Sequence, residues 1–69
     1  MFNVDSYEAK RILELIGDNE KLNYTFTEIS KKENNSYNRG ILHGFLLSLV
    51  AQDIIESWNA RELLLSLDK

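Results

Sequence analysis

The sequence predicts an all-α protein: a helical hairpin with a short C-terminal helix, completed as a bundle by a second copy of the same chain. Three observations predict it. No proline is present, so nothing imposes a helix break. Aliphatic residues recur at three- and four-residue intervals along much of the chain, the period of a helix with one buried face. Side chains able to cap helices stand before each periodic run.

The first helix is predicted from about residue 5 to residue 33. Asp5 and Glu8 have the spacing of a capping box, and Ala9, Ile12, Leu13, Leu15 and Ile16 succeed them at helical intervals. Gly17, Asp18 and Asn19 could end the helix there. Two patterns compete beyond that point. Leu22, Tyr24 and Phe26 alternate with Asn23, Thr25 and Thr27, as in a strand. Ile12, Leu15, Asn19, Leu22, Phe26 and Ile29 instead form a heptad seam running through Gly17, with a polar Asn19 in it. No second strand offers itself as a partner, and a lone hairpin is marginal, so helix is preferred, with a kink or break near residues 17–19. Asn34, Asn35 and Ser36 form the turn, Ser36 being a good cap for the next helix. That second helix is expected over about 37–56. A third, over about 59–67, would start with Asn59 and Glu62 as a capping box and Trp58 and Leu63 as a hydrophobic staple.

The second helix bears most directly on assembly. Ile41, Leu42, Phe45, Leu46, Leu47, Leu49, Val50 and Ala51 leave it no broad polar face, the pattern of a helix buried on all sides. A 69-residue chain without cysteine has no disulfide with which to reinforce a small core. A homodimer is therefore expected. Gly40, Gly44 and Ser48, four apart, with Leu47 and Ala51 beside them, form a ridge that permits close approach of another helix. The alternative is that Gly40 simply lies near the helix start and Gly44 packs under an aromatic ring of its own chain.

Composition excludes several function classes. The net charge of −3 argues against a dedicated nucleic-acid binder. His43 is the single histidine and lacks co-ligands at metal-binding spacing. No phosphate-binding loop or nucleophile–base–acid set is present, and the carboxylate pairs Asp5/Glu8, Glu14/Asp18 and Asp53/Glu56 read as caps and solvated faces. No catalytic residue, cofactor or metal site is expected. Residues 1–5 lack a basic segment leading into an apolar one. The longest uncharged run, Gly40 to Gln52, is 13 residues, short of the about 20 that span a membrane. A soluble, cytoplasmic protein is expected.

Two stretches carry a resemblance: Tyr37-x-x-Gly40-Ile41-Leu42-x-Gly44-x-Leu46, and Asp53-Ile54-Ile55-x-Ser57-Trp58-x-Ala60-x-Glu62-Leu63-Leu64. With the richness in Lys, Asn, Ile and Leu, this C-terminal half resembles small helical proteins encoded by phages and mobile elements of low-GC Gram-positive bacteria. That pool includes anti-defence proteins such as anti-CRISPR inhibitors. The resemblance implies an inhibitor or small regulator of a host protein, and it transfers no site residue.

Two functional expectations result. In the first, the chain is a non-enzymatic interaction module. It presents Tyr7, Lys10, Arg11, Glu14 and Asp18 to an unidentified protein, with Tyr24 and Trp58 as aromatic anchors. In the second, Lys31, Lys32, Tyr37 and Arg39 around the turn contact the phosphates of a nucleic acid.

Overall fold

The computed structural model describes residues 1–67. These form four helices: α1 Tyr7–Ile16, α2 Glu20–Ser30, α3 Ser36–Ala51 and α4 Ser57–Ser66. The all-α expectation holds, and residues 20–30 are helix rather than strand. The predicted long first helix is two helices, and four elements replace three.

Local chemistry sets each boundary. Ser6, not Asp5, caps α1, its Oγ accepting from the Ala9 amide at 3.2 Å. The Asp5 amide is already turned onto Asn3 Oδ1 at 2.9 Å, which shifts the start by one residue. Gly17 ends α1 with φ +64° and ψ −132° while its N–H donates to Leu13 O at 3.1 Å. A side chain resists that conformation. Asn19, which the heptad reading puts in a core seam, caps α2 instead, its Oδ1 accepting from the Leu22 amide at 3.1 Å. Asn23 Nδ2 then bridges Gly17 O and Asn19 O at 2.8 and 3.0 Å, pinning the corner.

Asn35, not Ser36, caps α3, accepting from the Asn38 amide at 2.8 Å. The helix ends at Ala51, five residues before the expected Glu56. Ile54 N–H reaches Leu49 O at 2.9 Å and Asp53 N–H reaches Val50 O at 3.0 Å. This is the Schellman pair of bonds, with Asp53 at φ +60° in the position glycine normally fills. Helix α4 starts two residues earlier than expected. Glu56 is its cap residue, and its backbone N–H donates to Asn59 Oδ1 at 2.9 Å. Asn59 thus serves three residues into the turn, not as the cap. Ile55 and Ala60, both buried, now hold the staple positions. Trp58, expected there, is exposed.

The helices pack as a closed ring: α1 neighbours α2 and α4, and α3 neighbours α2 and α4. Ile12, Leu42, Leu46 and Leu49 are fully enclosed at the centre. The rings of Phe26 on α2 and Phe45 on α3 stack with centroids 6.1 Å apart, an offset aromatic contact of the favourable kind. Phe2 is buried over this core, and its N–H donates to Ser30 O at 2.9 Å. Ser30 and Asn59, the buried polar residues among those described, each have a hydrogen bond. One chain therefore encloses the core for which the sequence suggests a second copy. Splitting the first helix supplies the extra wall, and α3 buries one face rather than all sides.

Two substitutions test these boundaries. Gly17→Ala forces a side chain into a sparsely allowed backbone region and should destabilise the fold by about 1–3 kcal/mol. Asp53→Gly removes left-handed strain and should stabilise by about 0.5–1 kcal/mol. In a domain of this size the second change amounts to a melting-temperature rise of a few degrees. Thermal denaturation followed by circular dichroism reads both.

Candidate functional site

Each helix keeps one face for solvent. On α3 the buried positions are Leu42, Leu46 and Leu49, so a helix of 3.6 residues per turn carries Tyr37, Gly40, Gly44, Leu47 and Ala51 to the opposite side. All five are exposed there, as is Ser48. A Cβ built on Gly40 or on Gly44 would meet nothing within 4 Å. Among the described residues, therefore, nothing packs on Gly40 or Gly44, and Gly44 lies under no aromatic ring. Two interior glycines weaken a helix by about 2 kcal/mol relative to alanine; the burial of Leu42, Leu46 and Leu49 on the opposite face holds α3 in place.

Beside this ridge runs a groove of about 400 Å³ between α3 and α4, lined by His43, Leu47, Val50, Ser57, Ala60, Arg61, Leu64 and Leu65. Leu47 is 53% exposed and Leu65 59%. His43 is exposed on the groove wall. Among the described residues no group of three or more His, Asp or Glu side chains converges as metal ligands.

Helix α4 forms the crest between two hollows. Leu65 borders the α3–α4 groove and also a second hollow of about 320 Å³ shared with Tyr7 and Glu8 of α1 and with Glu62 and Ser66. Trp58, 53% exposed, is seven residues before Leu65 and so lies two turns along the same face. Tyr7, expected as a partner contact, thereby joins Leu65 and Trp58 on one side of the molecule. The sequence does not single out Leu65, because Leu63, Leu64, Leu65 and Leu67 are too dense to show which of them faces outward.

The other expected surface residues divide. Lys10, Arg11, Glu14 and Asp18 are exposed, Arg11 and Glu14 forming a solvated ion pair at 3.1 Å of little energetic weight. Tyr24 is exposed on α2, away from α4. The Tyr24 hydroxyl, together with Lys31, holds the Glu28 carboxyl below its ordinary pKa.

Of the basic turn, Arg39 is committed to the fold. Lys31 Nζ is 3.3 Å from Glu28 Oε2. Arg39 is only half-exposed; its Nε donates to Asn34 Oδ1 at 2.7 Å and its guanidinium reaches Leu67 O at 3.3 Å. Arg39 thus clamps the α2–α3 turn to the end of α4. Lys32 and Tyr37 remain exposed. No helix among the described residues is long and apolar enough to cross a membrane. Comparison with protein-family models, with curated proteins and with solved structures finds no match.

Proposed function

We propose that this chain is a non-enzymatic interaction module that binds a larger protein through the crest of α4 and the adjoining end of α1. Its role would be that of an inhibitor or small regulator in a host cytoplasm, as the resemblance to phage and mobile-element proteins implies. The observation that carries the reading is the exposure of Leu65 beside Tyr7 across one hollow, with Trp58 exposed two turns earlier on the same face of α4. A monomeric protein gains nothing from wetting two such large apolar side chains and a tyrosine together. Trp and Tyr are also the residue types that dominate binding energy when a partner encloses them. Arg61 and Glu62, both exposed, lie between Trp58 and Leu65 on that face of α4 and supply polar contacts among the apolar ones. Helices supply every one of these positions, so the patch is held rigidly and is ordered before a partner arrives.

Affinity capture from the source cell with three forms of the protein tests the proposal. The wild type and Tyr24→Ala should retain the same partner. Trp58→Ala combined with Leu65→Asp should lose it, with unchanged circular dichroism, since both side chains are exposed. Loss of an anchor of this type weakens binding by about 2 kcal/mol, roughly thirtyfold. Retention of the same proteins by the double variant would sink the reading.

The engagement of Arg39 by Asn34 and Leu67 disfavours phosphate contact through that residue. Titration with duplex DNA at about 50 mM salt, where few-phosphate binders are strongest, should give no binding. A complex that weakens steeply as salt is added would reverse that preference.

A further inference from the structure

We infer that the α1–α2 corner is a hinge about which two copies of this chain exchange residues 1–16. In the exchanged dimer residues 7–30 of each copy run as one helix, and each α1 packs against α4 of the other copy. The surfaces that meet are those the single chain already buries. The crest of α4 is therefore reproduced in each half, and this inference does not depend on the proposed partner protein.

Three observations argue for the exchange. The first is the corner itself. Only residues 17–19 separate α1 from α2, and Gly17 is held at φ +64° and ψ −132°, outside the right-handed helical region. Yet the main-chain bonds on either side of it are those of a straight helix. Gly17 N–H to Leu13 O and Asn23 N–H to Asn19 O, at 3.1 and 3.0 Å, each join a residue to the one four before it. Both survive straightening. The bonds lost are side-chain ones, from the Leu22 amide to Asn19 Oδ1 and from Asn23 Nδ2 to Gly17 O, and the intervening amides gain helical carbonyls in their place.

The second is the register. Ile12, Leu15, Asn19, Leu22, Phe26 and Ile29 keep three- and four-residue spacing through the corner, and no proline interrupts it. A bend followed by a separately capped helix does not require that register; a continuous helix does.

The third is what the closed form leaves uncovered. Leu15 and Leu22 flank the corner and are only half-buried. In the straight helix they stand on one face with Asn19 between them. A two-fold axis at the hinge sets this face against its copy, so the leucines of each helix cover those of the other. Everything else is kept: the α1–α4 packing and the Phe2 N–H bond to Ser30 O become contacts between copies. Such an exchange is a low-cost route to a dimer, and a short strained hinge invites it.

Gly17→Ala tests the hinge, because it hinders the corner and favours the helix, leaving the exchanged form unstrained. In sedimentation the wild type should have a mass of 8.0 kDa at micromolar concentration and form a dimer at millimolar concentration. Gly17→Ala should dimerise about a hundredfold more tightly, since strain is relieved in two chains at once, and its melting temperature should rise with protein concentration. Two glycines inserted after Gly17 relax the corner and should keep the chain single throughout. The chain has no cysteine, so introduced thiols identify the exchange. Glu8 and Ser66 border one hollow between α1 and α4. When Gly17→Ala chains carrying Glu8→Cys are refolded with Gly17→Ala chains carrying Ser66→Cys, a short bismaleimide should join the two. A wild-type chain that stays single at millimolar concentration, a Gly17→Ala chain that is single or unfolded instead of dimeric, or a dimer without the mixed cross-link would each overturn the inference.

Discussion

The reversal between α1 and α2 is the constraint on which the remaining architecture depends. Gly17 adopts a backbone conformation that turns the chain within three residues, and Asn19 immediately restarts a helix by capping it. Without that corner, residues 7–30 would run as one rod, able to cover only one flank of α3. With it, the same residues become two walls, and Leu42, Leu46 and Leu49 are enclosed by one chain. The Phe26–Phe45 stack and the burial of Phe2 depend on α2 being folded back against α3. A local conformational preference at a single residue thus lets one chain surround these side chains.

Much of the fold is legible in the sequence because it rests on periodicity and capping. The helical character of residues 20–30, against a competing alternation, can be read from the heptad spacing and the lack of a pairing strand. The break at residues 17–19 can be read from glycine next to Asp and Asn. The illegible details depend on choices among near-equivalent groups. Ser6 and Asp5 are both good caps, as are Asn35 and Ser36, and the winner is set by where neighbouring amides are already engaged. The end of α3 is hidden for another reason: Asp53 occupies a left-handed position that the eye seeks glycine to fill.

The surface is harder to read than the core. An apolar helix with no polar face looks buried all round, yet α3 achieves exposure by placing glycine, serine and alanine outward together with one leucine. Those small residues expose little apolar area, so the pattern is compatible with water as well as with a close neighbour. Arg39 shows another limit of the sequence: its hydrogen bonds to Asn34 and to the Leu67 carbonyl join positions whose proximity only the fold reveals. The exposure of Trp58 is likewise hidden by the helix starting two residues early, which moves that position from before the helix onto its crest.

Two long-range ties have a property in common. Phe2 to Ser30 and Arg39 to Leu67 each join residues 28 positions apart and end on a main-chain carbonyl. One closes the α1–α2 half of the chain and the other closes the α3–α4 half. The molecule is thereby fastened by two latches of equal reach, one on each hairpin and neither enclosing the other. Each half can shut on its own short loop, at a modest entropic cost, before the halves meet.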